Sequence, residues 1–335
     1  MIHAAGLTKD FTIGRQEIVH AVRGIDLRVE EGEVVALLGP NGAGKTTSMR
    51  MLTTLIEPTS GTAKVAGYDV ARQPAQVRKH LGYVGQGNGA GHTQRVGDEL
   101  YAQGVIYGLD RRTARSRGTE LLEALDLRGM HKRKVTDLSG GQRRRLDVAM
   151  GLVHAPPLLV LDEPSTGLDP QNRANLWEHI TRLRTEHAMT VLLSTHYLDE
   201  ADTMADRVVI VDHGQVIADD TPEALKSQHA ADRLTVTTTG EAAARTLAEV
   251  VGRWAATTQV EVTGPVVTAT ITHGAARVSE LVHAADDAEL QLTEVQVRRP
   301  TLDDVFLTLT GRSLREANQT GTDDTPAHDA TEVAA

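Results

Sequence analysis

The chain has 335 residues, 40% hydrophobic and 24% charged, ordinary globular values that exclude collagen, fibre and wholesale disorder and leave room for one large domain plus a smaller one. Its 35 Lys and Arg against 45 Asp and Glu give a net charge of −10, no general basic footprint for nucleic acid, and 2 Trp, 5 Tyr and 2 Phe offer few platforms for stacking bases. Zero cysteine removes disulfides, thiolate metal sites and cysteine nucleophiles together.

From the start to about residue 230, short apolar runs alternate with helical periodicity, the pattern of an α/β domain with a largely parallel sheet. Residues 1–10 lack the features of a secretory signal, and no run reaches the ~18 apolar residues of a membrane span, so the expected location is cytoplasmic. The first buried strand is expected at 34–38. It runs into Gly39-Pro40-Asn41-Gly42-Ala43-Gly44-Lys45-Thr46, which satisfies G-x-x-x-x-G-K-[ST], with Thr47 and a helical run through Met49, Leu52 and Ile56 behind it. Such a loop turns backbone N–H groups inward around a phosphate chain, and the helix N-terminus adds its positive end. Lys45 then neutralises the β and γ phosphates, and the Thr46 hydroxyl faces Mg²⁺.

Farther along, Leu146, Ala149, Met150 and Val153 define a helix face. The arginines before it, Arg143, Arg144 and Arg145, are consecutive and so point around that helix, which reads as a solvated or phosphate-proximal surface. The next strand, 158–161, ends in Asp162 and Glu163, acids placed where a strand's C-terminal end meets a ligand. Asp162 is the Mg²⁺ residue of this reading, and Glu163 the general base that polarises the attacking water. Leu176, Ile180 and Leu183 mark another helix, and strands follow at 191–193 and 208–211. The 14 histidines contain no H-E-x-x-H, so zinc is not expected.

A domain boundary is placed near residue 230. Beyond it the chain reads strand 234–238, helix 241–251, strands 259–263 and 266–272, helix 275–285, strand 290–297, the β-α-β-β-α-β order of a ferredoxin-like α+β domain over 231–311. A short helix over 302–309 closes it. Residues 312–335 are polar and acidic without periodicity, a disordered tail.

A phosphate loop with an acidic strand end is common to several nucleotidase families, and Leu138-Ser139-Gly140-Gly141-Gln142 selects among them. This segment resembles the signature motif of ATP-binding-cassette (ABC) ATPases, and the other cassette motifs stand in order around it over roughly residues 2–225. Gln86 resembles the Q-loop glutamine that contacts Mg²⁺ or the attacking water, Ser165-Thr166-Gly167-Leu168-Asp169 the D-loop at the dimer contact, His196 the switch histidine, and Phe11 the ring that stacks on adenine. The chain departs from the pattern at Gly85, where proline commonly precedes the glutamine, and in the Gly-rich residues 87–92. The signature serine and glycines open a second helix N-terminus. The resemblance implies a head-to-tail homodimer in which Ser139 and Gly141 of one subunit close on the γ-phosphate held by Lys45 of the other, with two ATP in the interface.

The ending Arg298-Arg299-Pro300-Thr301-Leu302-Asp303-Asp304-Val305-Phe306 resembles ATP-binding subunits of bacterial drug exporters of the daunorubicin-resistance type. That resemblance implies an ATP- and Mg²⁺-dependent subunit, peripheral on the cytoplasmic face of the membrane, energising a separately encoded permease that exports a hydrophobic compound. Two alternatives stand beside it. A soluble ABC ATPase of nucleic acid or ribosomes would carry two cassettes or coiled-coil insertions, and nucleic acid is not an expected partner here. An importer subunit with a regulatory C-terminal domain would show an OB-like barrel after residue 230.

Overall fold

The computed structural model describes residues 1–14, 17–91, 93–272, 274–314, 316 and 318. The chain forms two compact units, one built on Met1–Asp219 and one on Asp220–Glu316.

At the centre of the first unit is a six-stranded sheet in the order Gln215–Asp220, Arg207–Asp212, Val34–Leu38, Thr190–Thr195, Leu158–Asp162, Leu81–Val84. The five strands from Arg207–Asp212 to Leu81–Val84 pair in parallel. Val34–Leu38 and Leu158–Asp162 are buried at every position, as unbroken apolar runs require when both faces of a sheet are covered. The register sets Leu38 opposite Thr195 and Asp162 opposite Ser194. The chain segments that leave these strands at their C-terminal ends therefore emerge side by side, where open α/β sheets bind ligands.

A second, antiparallel sheet runs Glu17–Val29, Ile2–Ile13, Ser60–Val65, Tyr68–Asp69. Its Ile2, Leu7, Ile25 and Val65 share one buried cluster with Val35, Leu37 and Met49. That packing fixes the strand Glu17–Val29 against the loop after Leu38.

In the second unit the strand order is Thr257–Thr263, Val266–Ile271, Asp232–Thr238, Leu292–Arg298, with every neighbour antiparallel. The helices Glu241–Gly252 and Val278–Asp287 bury Leu247, Val251 and Leu281 against Leu234, Val236 and Ile271. This is the expected β-α-β-β-α-β arrangement, an open sheet and not an OB-like barrel. Two boundaries move. The unit begins at Asp220, ahead of the expected 230, and takes in the helix Pro222–His229, whose Leu225 is buried, as are Leu302, Val305 and Phe306 of the helix Leu302–Thr310 that it packs against. It also runs past 311: Leu314 is buried, and its N–H donates to Asp303 Oδ1 at 3.0 Å. Most of the expected tail lies outside the described residues.

Candidate active site

The phosphate loop owes its shape to packing against the antiparallel sheet. Gly44 caps the helix Lys45–Leu52 at φ 100°, the left-handed region, and a Cβ there would lie 2.6 Å from the Ala21 carbonyl oxygen, so only glycine fits. A cavity of about 500 Å³ opens over the loop, lined by residues 41–47 with Ala21, Gln86 and Glu163. The first-turn N–H groups of the helix point at its anion site. Lys45 is 4% exposed, and its Nζ donates to the carbonyls of Gly39 at 2.7 Å and Pro40 at 2.9 Å. Burial pushes its pKa below the ordinary lysine value, while the charges of Glu163 and Asp162 pull it back. These two carboxylates are counter-charges to the buried ammonium, and a phosphate in the cavity would add another.

Asp162 is fully buried at the end of its strand. Oδ1 accepts from Thr46 Oγ1 at 2.9 Å and Ser194 Oγ at 2.7 Å, and Oδ2 from the Tyr83 hydroxyl at 3.3 Å. Burial and the Asp162 charge push the Tyr83 pKa up to about 12, so it remains a donor. Gln86 Nε2 reaches Thr46 Oγ1 at 3.2 Å. One carboxylate, one hydroxyl and one amide thus converge, a hard, oxygen-rich set that suits Mg²⁺ shared with substrate phosphates rather than an all-protein cage.

Glu163 takes φ 46°, rare for a residue with a side chain, and its N–H is held there by Ser194 Oγ at 3.0 Å and Ser194 O at 3.2 Å. The turn aims the carboxylate back over the loop. Oε1 is 3.8 Å from Lys45 Nζ, and Oε2 is 3.3 Å from His196 Nδ1 and accepts from Thr166 Oγ1 at 3.2 Å. Burial alone would raise the Glu163 pKa, but His196 and Lys45 outweigh it and hold the carboxyl below its usual range. The His196 ring lies tilted against Tyr197, centroids 4.2 Å apart, and Arg173 Cζ sits 3.9 Å over the Tyr197 ring.

Six expected residues, Ser139, Gly140, Gly141, Gln142, Asp169 and Phe11, stand apart from the cavity lining. Ser139 caps the helix Gly140–Leu152 in a reciprocal box with Gln142, Ser139 N–H to Gln142 Oε1 at 3.0 Å and Gln142 N–H to Ser139 Oγ at 3.3 Å. Gly141 presses so closely on the helix Pro170–His187 that a Cβ would lie 2.4 Å from Asn172 Oδ1, while Gly140 stays open. Asp169 caps that same helix, accepting from Asn172 N at 2.9 Å. Phe11 is 40% exposed on the strand Ile2–Ile13, with Lys9 Nζ 5.3 Å over its ring.

The arginine triplet corrects its sequence reading. Arg144 and Arg145 are each 7% exposed, and Arg143 donates to the carbonyls of Val135 and Thr136. The helix lies inside the unit here, so consecutive positions all meet protein. Ala21, Tyr83 and Ser194 were missed as contributors to the site. For Ser194 a signal existed, since a small polar residue inside a wholly buried strand must find a partner.

A model of the ABC transporter family matches residues 22–166. The chain is 44% identical to daunorubicin resistance ATP-binding protein DrrA2 of Streptomyces coeruleorubidus, over 87% of this chain and 90% of that one. It is 34% identical to linearmycin resistance ATP-binding protein LnrL of Bacillus subtilis, over 94% and 100% of the two chains. The dimeric structure of MJ0796, a bacterial ABC transporter cassette, superposes with a TM-score of 0.61 at 25% identity, covering 66% of this chain and 98% of that one. The chain belongs to the ABC transporter family and is one of its ATP-hydrolysing, transport-coupled subunits.

Proposed function

We propose that the chain works as a homodimer with two Mg²⁺-ATP in its interface, docks on a separately encoded permease at the cytoplasmic face of the membrane, and drives export of a hydrophobic drug-like compound. The observation that carries the hydrolytic part is the convergence of Lys45, Gln86 and Glu163 on one cavity, with Asp162 bonded to Thr46 and His196 beside Glu163. Residues 39–47 cradle the phosphates, and Phe11 stacks on adenine. Thr46, Asp162 and Gln86 would hold Mg²⁺, which when bound would supply positive charge against the phosphates. Glu163 takes a proton from water as its oxygen attacks the γ-phosphorus, the bond from phosphorus to the β–γ bridging oxygen breaks, and ADP and phosphate leave. Its depressed pKa keeps it ionised for that role, and His196 fixes the carboxylate from the far side.

Support for the dimer comes from the signature helix. Ser139, Gly140, Gly141 and Gln142 build a helix N-terminus that does not line the chain's own nucleotide cavity, so its anion site suits a nucleotide held by another copy. Asp169, capping the adjacent helix, lies beside that contact. Support for a permease is that no helix among the described residues is long and apolar enough to cross a membrane, although the family is transport-coupled. The cargo class follows from the names of the two drug-resistance relatives. The test is transport: the chain and a candidate permease, reconstituted in vesicles, should move daunorubicin against a gradient only with Mg²⁺-ATP. Vesicles that hydrolyse ATP yet move none would refute the cargo class alone.

A further inference from the structure

Arg144 and Asp147 lie one turn apart on the helix Gly140–Leu152, 7% and 5% exposed, and neither takes part in the chemistry above. The Arg144 guanidinium donates to four main-chain carbonyls drawn from two separate segments. Nε reaches Pro164 O at 2.6 Å, Nη1 reaches Gly85 O at 2.7 Å, and Nη2 reaches Asp162 O at 3.2 Å and Glu163 O at 3.3 Å. Asp147 Oδ2 stands 3.9 Å from Arg144 Nη1, and Asp147 Oδ1 accepts the Gly89 N–H at 3.0 Å.

We propose that Arg144, steadied by Asp147, is a positioning residue for ATP hydrolysis that holds Gln86 and Glu163 in register with the helix opened by Ser139. Gln86 lies between the two tethered points, Gly85 and Gly89, on a segment whose glycines have no side chains with which to anchor it. Glu163 is held through its own carbonyl and through the carbonyls on both sides of it. A planar guanidinium with five N–H groups can serve acceptors spread over two segments, which a lysine ammonium with three donors on one nitrogen cannot. Any tilt of the helix, such as an anion binding at Ser139 would impose, therefore moves the Mg²⁺-side glutamine and the base together. A residue that only filled the core would lack this coupling to the chemistry.

The proposal rests on Glu163 being the base, which Glu163→Gln measured alone checks separately. In the full chain, Arg144→Lys should lower kcat by about 10–10²-fold, since small misplacements of reacting groups cost that much. Affinity for a fluorescent ATP analogue should stay within about threefold, and introducing Arg144→Lys into Glu163→Gln should slow it little further, because both act on one step. Parental kcat in Arg144→Lys, or an equal proportional loss in both backgrounds, would overturn the proposal. If Arg144→Lys does not fold, Asp147 carries the test. Asp147→Asn keeps an oxygen for Gly89 and should retain kcat within about threefold, whereas Asp147→Ala releases the loop and should lose about tenfold. Equal rates in these two variants would equally overturn it.

Discussion

Lys45 Nζ and Glu163 Oε1 face each other at 3.8 Å across the phosphate loop, the lysine 4% exposed and already donating to Gly39 and Pro40. The pair sets the electrostatics of the cavity. The cation draws the Glu163 pKa down, and the anion offsets part of what burial takes from the Lys45 pKa, so the proposed base and the proposed phosphate ligand depend on each other.

Glu163→Gln should therefore slow ATP hydrolysis by about 10²–10⁴-fold, the usual worth of a general base. Nucleotide affinity should be retained or increase, because a negative charge beside the γ-phosphate is removed. Steady-state phosphate release and binding of a fluorescent ATP analogue check the two halves.

Ser194 accepts the Glu163 N–H and donates to Asp162, so Ser194→Ala should disturb the Mg²⁺ site without touching the nucleotide. Loss of such an outer partner raises the metal concentration for half-maximal rate by about 10–10²-fold. A Mg²⁺ titration at saturating ATP measures it, and chelation of Mg²⁺ should stop turnover in both proteins.

In the Glu163→Gln background, ATP should drive the chain to a dimer, since hydrolysis no longer separates the subunits. Adding Ser139→Arg places a bulky cation over the signature helix N-terminus and should abolish that dimer. Size-exclusion chromatography with light scattering, with and without ATP, reads the difference. A dimer that persists in the double variant would remove Ser139 from the interface.

Stability should fall on mild acidification through His154. Its ring stacks on Tyr107 at 3.6 Å and its Nε2–H donates to Leu81 O at 3.0 Å, and burial lowers its pKa from 6.5 to about 4. Between those values the unfolded chain binds more protons than the folded one, so stability is whole above pH 6.5 and declines toward pH 4. Discounted for solvent screening, the loss is on the order of 1–2 kcal/mol, a few degrees in Tm. Melting curves at pH 7 and pH 5 should show a smaller drop for His154→Phe, which keeps the stack and cannot titrate.

The phosphate loop, the acids at 162 and 163 and the ferredoxin-like order were legible in the sequence because each depends on neighbours a few residues away. Eight residues fix the turn around a phosphate, and the alternation of apolar positions fixes a strand wherever it ends up. The burial of Arg144, the hydroxyl of Ser194 between two acids, and the helix Pro222–His229 joining the second unit were decided only in three dimensions. Arg144 meets residues 85 and 162–164, and Ser194 meets 162 and 163, partners that the parallel sheet brings together from far along the chain. A charged triplet carries no mark of which helix face will be covered, since the covering comes from elements of other sequence origin, whereas a glycine-rich loop records its own geometry in its residues.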